Sequence, residues 1–297
     1  MRPFEFGSED YGNVRILGAP YSYVYLAGDI LMDTGTGFWG KRIARFLEEN
    51  SLKVSRILFT HSHYDHVGGY PYLGGIPTGA HPHLYGTLAK EKVARFIEEM
   101  NRREMAMLND PDAQNYRFTP PEDGRPLEDG ERLEWRGGEI EVIYTPGHTR
   151  DSVSYYILPE KVMVVGEAAG VPNRDGSFIL PQFLSSIMDY LNSLRRLRGY
   201  EIEVLGLPHE MVIYGRRKVK DYLRLSEAAT LRYVEDLKDI YARCGGEWDC
   251  IEREVMERIY RRHALDQPEY AFLANLKAQI RAVEREFFLP PYNRLHD

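Results

Sequence analysis

The apolar positions change period twice along the chain. From residue 14 to 33 they come in short dense runs, VRILG, SYVYLAG and DILMD, separated by turn residues at Gly18–Pro20 and Gly28–Asp29. That spacing predicts short β-strands. From Gly37 to Asn50 the period becomes helical, with Phe38, Ile43, Phe46 and Leu47 on one stripe. RILFT at 56–60 predicts a buried strand, and 84–108 predicts a helix with Leu84, Leu88, Val93, Phe96, Ile97, Met100 and Met107 as its apolar positions. Residues 109–130, rich in Pro, Asp and Gly, predict a loop. RLEW, EIEVIYT (139–145), SVSYYIL (152–158) and KVMVV (161–165) predict more strands. A helix at about 183–197 and the strand IEVLGL (202–207) follow. From about 216 to 287 the pattern is helical, broken at Cys244–Gly246 and near Pro268, and no repeat of 20–50 residues is visible.

Bulk properties narrow the classes. A chain of 297 residues suits one large domain, or one domain with an appendage, and needs neither metal nor disulfide merely to fold. A net charge of -7 argues against a general nucleic-acid binder, although a local basic groove stays open. No stretch approaches the ~18 apolar residues of a membrane span. The opening MRPFEFGSEDYG has no apolar run, so no signal peptide is expected and the expected location is cytoplasmic. Cys244 and Cys250, in CGGEWDC, could close a small disulfide. Two free thiols in a reducing cytosol is the preferred reading.

The chemistry concentrates in His61-Ser62-His63-Tyr64-Asp65-His66, three imidazoles and a carboxylate in six residues at the end of a predicted strand. Zinc and iron favour imidazole nitrogen and carboxylate oxygen. His61 and His63 lie two apart, so an extended backbone puts them on one side. Asp65 and His66 fall past a bend, where they can serve a second ion, and Gly68–Gly69 are read as letting the chain turn away. A lone histidine is usually a surface or satisfied core residue; chance is a poor account of three in six with an aspartate.

HSHYDH resembles the HxHxDH signature of the metallo-β-lactamase superfamily, which includes glyoxalase II, the RNase Z group and acyl-homoserine lactonases. Asp33-Thr34-Gly35 looks like that family's first motif, Thr145-Pro146-Gly147-His148-Thr149 like its third, Gly166-Glu167 like the position of the bridging acid, and Pro208-His209 like the last histidine. The resemblance covers residues 22–210. It implies an α+β fold, the αββα sandwich, at 1–215, with a helical C-terminal extension at 216–297 covering the active site. It further implies two divalent metal ions, zinc first, with iron or manganese as alternatives. His61, His63 and His148 would hold one ion. Asp65, His66 and His209 would hold the other, with Glu167 between them and Asp33 orienting ligands. The family usually has Asp at the bridge, so Glu167 is a departure, one methylene longer, that bears on occupancy of the second site.

The reaction so implied is hydrolysis by a metal-bound hydroxide aligned by Asp65, on an ester, thioester or similar acyl substrate. The expected partner is a small molecule, an anionic acyl thioester among the candidates; a homo-oligomer stays open. A helical extension resembles the arrangement in glyoxalase II and related thioesterases. The alternatives are a phosphodiesterase or ribonuclease of the same fold, iron-dependent oxygen chemistry, and a regulatory protein that keeps the fold. Phe183, Leu184, Tyr214, Tyr222 and Phe272 are candidates for an apolar pocket, with plain core as the blander reading. Arg216-Arg217-Lys218 is either an anion site or a solvated helix start, Tyr64 is a weak candidate to face substrate, and His81 and His83 read as rim or surface.

Overall fold

The structure is a computed structural model that describes residues 5–122, 124–265 and 267–289. The last eight residues of the expected extension, 290–297, and the first four of the chain lie outside the described residues. The chain forms two compact units. The first is Met1–Tyr144, Asp151–Gly166 and Glu201–Arg216; the second is Thr145–Arg150, Glu167–Tyr200 and Arg217–Asp297.

The first unit holds two sheets. One has seven strands in sequence order: β1 (Gly7–Tyr11), β2 (Val14–Ala19), β3 (Ser22–Ala27), β4 (Ile30–Met32), β5 (Arg56–Leu58), β6 (Thr78–Ala80) and β7 (Gly124–Pro126). Its first three pairings are antiparallel and its last three parallel. Between them run the helices α1 (Gly37–Glu49), α2 (Tyr64–Val67), α3 (Pro82–Leu88) and α4 (Glu91–Met107). Successive side chains of a strand point to opposite faces, and from β2 to β5 both faces are buried. Leu17, Val24, Leu26, Leu31, Ile57 and Phe59 pack with Phe38, Trp39 and Ile43 of α1 and Ile97 and Met105 of α4. Val14, Ile16, Tyr25, Ile30, Met32 and Leu58 face the other way, into a second core. This explains why these strands read as dense apolar runs rather than alternation.

That second core is shared with the second sheet: β8 (Arg132–Trp135), β9 (Gly138–Tyr144), β10 (Val153–Leu158), β11 (Val162–Val164), β14 (Val204–Gly206) and β15 (Val212–Tyr214). It contributes Leu133, Ile140, Val142, Val153, Tyr155, Ile157, Val162, Val164 and Val204. Two facing sheets with helices on the outer face of the first are the expected sandwich.

The second unit contains the hairpin β12 (Val171–Pro172) and β13 (Ile179–Leu180), then α5 (Ile187–Leu197), α6 (Arg216–Cys244, from Arg217), α7 (Trp248–Val255) and α8 (Glu269–Val283). The C-terminal region is helical, as expected. Ser186 caps α5 by accepting from the Asp189 amide, so the helix starts four residues later than its apolar period suggests. Cys244 and Cys250 form a disulfide across the α6–α7 turn, with Cα atoms 5.7 Å apart, against the preferred reading of two free thiols. The turn through Gly245 and Gly246, both at positive φ, brings them there. No described helix is long and apolar enough to cross a membrane.

Candidate metal centre

In the first unit the HSHYDH segment leaves β5 and enters α2. Its course is fixed by backbone contact rather than by a glycine-specific turn. Gly68 and Gly69 have φ of -64° and -77°, which any residue adopts. A Cβ on Gly69 would sit 2.1 Å from the Thr34 carbonyl oxygen, and one on Gly40 would sit 2.2 Å from the Gly69 Cα. These glycines let α1 and the 33–36 loop press against the segment, which corrects the reading of Gly68–Gly69 as a sharp turn.

Asp33, at φ 61°, is the central anchor. Its Oδ1 accepts from the Thr60 amide at 2.8 Å, and its Oδ2 accepts from the Thr60 hydroxyl and from His66 Nδ1, both at 2.8 Å. The Thr34 amide and hydroxyl both donate to the His66 carbonyl at 2.8 Å. With its Nδ1 proton committed to a carboxylate, His66 presents Nε2 as a lone-pair donor, the orientation found in metal-ligating histidines. His209 is held the same way: its Nδ1 donates to the Tyr21 carbonyl at 2.8 Å, and its Nε2 lies 3.5 Å from Asp65 Oδ2. The rings of His61 and His63 are 4.6 Å apart, and those of His61 and His66 4.0 Å. Ligand-capable atoms of Asp65, His66 and His209 lie within 4.8 Å of one another, and so do those of His61 and His63.

The second unit carries His148 and Glu167, both buried. His148 Nδ1 donates to the Gln182 carbonyl at 2.5 Å, and its Nε2 lies 3.6 Å from Glu167 Oε2. Nitrogen and carboxylate oxygen donors of this kind suit zinc, iron or manganese.

Buried tyrosines that the apolar pattern hides place these donors. Tyr155 donates to the Phe59 carbonyl, two residues before His61, and Tyr25 to the Leu207 carbonyl, two residues before His209, both at 2.7 Å. Burial pushes both phenols well above their usual pKa, so they remain donors throughout the working range. Asn101, fully buried on α4, accepts from the Gly37 amide at 2.6 Å and donates to the Tyr64 carbonyl at 3.3 Å and the Ile97 carbonyl at 2.8 Å. Three residues on, Glu104 accepts from the Thr36 hydroxyl at 3.1 Å. Burial raises Glu104 from 4.5 to about 7; the Thr36 bond opposes this and the Asp65 charge adds to it. A polar residue on the core face of a helix was the only sequence signal for either.

Several other candidates have different roles. His81 and His83 belong to neither donor group among the described residues; the His81 ring stacks on Tyr144 with centroids 4.7 Å apart. Phe183 and Phe272 are core, packed on Tyr190 and Tyr260, and Tyr222 donates to the Gly170 carbonyl. Tyr214, on β15, donates to Glu9. Tyr64 packs against the first core. Arg216 is paired with Glu201 and Glu203, which favours the solvated reading of that cluster over an anion site.

Residues 17–209 match the metallo-beta-lactamase superfamily domain, and the chain belongs to that superfamily. Among solved structures, a metallo-beta-lactamase family protein from Thermus thermophilus superposes with a TM-score of 0.61 at 24% identity, covering 93% of this chain and 92% of that one. Among curated relatives, the lactamase-like protein nscB of Neosartorya fischeri is 27% identical over 229 residues, 72% of this chain and 58% of that protein. An atrochrysone carboxyl ACP thioesterase of Aspergillus fumigatus is 22% identical over 292 residues, 92% of this chain and 81% of that protein. The chain thus spans well under two thirds of the length of nscB.

Proposed function

We propose that this protein is a metal-dependent hydrolase of acyl substrates, with thioesters favoured over simple esters. One observation carries the reading: His66, His148 and His209 each commit Nδ1 to a carboxylate or carbonyl oxygen and present Nε2 near a carboxylate. An imidazole oriented in this way is set up to ligate a metal rather than to serve as the base of a nucleophile–base pair. The proposed assignment is His61, His63 and His148 for one divalent ion, and Asp65, His66 and His209 for a second, with Glu167 between. The composition of these donor groups supports it. Metal ions so held supply a water activated near neutral pH and polarise the carbonyl under attack. The chain's own part is to hold that geometry. Asp65 would align that water by accepting a hydrogen bond from it, and Asp33, bonded to His66 Nδ1, would raise the basicity of His66. The thioesterase named among the relatives supports the thioester class.

The test is hydrolysis of a panel of CoA, acyl-carrier-protein and glutathione thioesters, lactones and a bis-aryl phosphate by chelator-stripped protein reloaded with zinc, manganese or iron. Thioester cleavage that depends on metal, and falls at least about 10²-fold in His63→Ala, is expected. A bis-aryl phosphate cleaved faster than every thioester would replace the acyl reading with a phosphodiesterase. Full activity in metal-free protein would end both.

A further inference from the structure

Within the second unit, one hydroxyl joins the supports of both donors. Tyr190, on α5, is fully buried. Its hydroxyl donates to the Glu167 carbonyl at 3.1 Å and accepts from the Gln182 amide at 3.3 Å. The carbonyl of that same Gln182 takes the Nδ1 proton of His148 at 2.5 Å. A single oxygen atom therefore links the Glu167 carbonyl to the amide of the residue whose own carbonyl orients His148. The surroundings leave it little freedom. The Cβ of a residue at Gly147 would sit 2.3 Å from the Tyr190 backbone, so the segment carrying His148 lies directly on α5.

Both ends of this link are clamped from further along the chain. The Ser226 hydroxyl donates to the Ala169 carbonyl at 2.7 Å, and Tyr222 to the Gly170 carbonyl at 3.2 Å, so α6 grips the loop just after Glu167. Gln279 of α8 donates to the Pro181 carbonyl at 2.8 Å and accepts from Tyr233 of α6 at 2.8 Å, while Asn275 donates to the Gln182 side chain at 3.3 Å. Every one of these bonds is buried or nearly so, where geometry is tightly enforced.

We propose that Tyr190 is a positioning residue that couples Glu167 to His148, and that through it the C-terminal helices set metal affinity. This rests on the ligand assignment proposed above. Tyr190→Phe removes only the shared oxygen. The readout is metal affinity by chelator competition, measured with Zn(II) on chelator-stripped protein and independent of turnover. Partners that orient metal-bound histidines are typically worth about 10–100-fold in affinity, and a loss in that range is expected. Tyr260→Phe is the control: its hydroxyl donates to the Gln267 carbonyl at 2.7 Å, in a segment with neither donor, and its affinity should stay within about twofold of wild type.

The outcomes separate the two claims. If wild type binds no zinc, the ligand assignment fails and the coupling fails with it. If wild type binds zinc and Tyr190→Phe matches it, or if Tyr260→Phe loses as much, the coupling alone is overturned. Should Tyr190→Phe not fold, the wild-type Gln182 amide decides. Its hydrogen exchange should slow at least about tenfold on zinc loading, while the Leu197 amide at the far end of α5 stays unchanged; equal exchange with and without zinc overturns the coupling.

Discussion

At the scale of single residues, the first unit is organised around carboxylates that do different work. Asp33 is fully engaged by Thr60 and His66 and sits at φ 61°, a backbone region that Asn tolerates better than Ala. Asp33→Asn therefore keeps the backbone and removes the charge. Zinc affinity by competition titration should fall about 10–100-fold with a smaller change in metal-free stability; unchanged affinity would assign Asp33 a purely structural role. Glu104 behaves in the opposite manner, because burial favours its protonated form and lifts it from 4.5 to about 7. A carboxyl raised in the fold contributes stability that is complete below its unfolded value and is lost as pH rises from there through the folded one. The melting temperature of metal-free wild type should thus fall between about pH 5 and pH 7 by more than that of Glu104→Gln, whose amide can accept the same Thr36 bond. Parallel pH profiles of the two proteins would show that the carboxyl stays ionised.

At the scale of elements, Asn101 shows how a helix ties motifs together. Its amide bridges the start of α1, just past the Asp33 loop, to Tyr64 at the start of α2. Asn101→Leu would leave the buried Gly37 amide without its partner, at about 1–3 kcal/mol, while the Tyr64 carbonyl keeps its bond from the Gly68 amide. A stability loss of about 1–3 kcal/mol by denaturant unfolding is expected, with reduced zinc binding in the folded fraction; a loss below about 1 kcal/mol would mean that water replaces the amide. The sequence made the long elements and the candidate 61–66 cluster readable, because period and residue type carry that information locally. α1 follows its stripe, and HSHYDH stands out by its residue types, whereas His148, Glu167 and His209 become candidates only through the resemblance to a family's motifs. What it hid is non-local. The predicted 84–108 helix is two helices parted at Ala89–Lys90, and Phe96 and Met107, placed on its apolar face, are 52% and 47% exposed. Strands β6 and β7, TGA and GRP, are too short to alternate and exist only through pairing with β5 and with each other. The roles of Tyr25, Tyr155 and Tyr190 were hidden too, since nothing in a sequence says which carbonyl a phenol will meet.

At the scale of the molecule, the seven proposed ligands are distributed unevenly: five belong to the first unit, and His148 and Glu167 to the second. An ion that binds only the folded chain stabilises it by mass action, about 2.7 kcal/mol at a free concentration one hundred times the dissociation constant. Chelator-stripped protein should therefore melt lower than zinc-loaded protein, with a gap that grows with the logarithm of free zinc. The size of the chain argues that the stripped form still folds, since both cores of the first unit are built from apolar side chains and need no ion. His63→Ala separates the two contributions. Removing a half-exposed imidazole from a loop takes little from the packing, so its metal-free melting temperature should match wild type within about a degree or two. Its zinc-induced increment should shrink, because the same donors can no longer close around the ion. If the two metal-free transitions differ as much as the loaded ones, His63 acts on the fold itself and the ligand assignment loses its support.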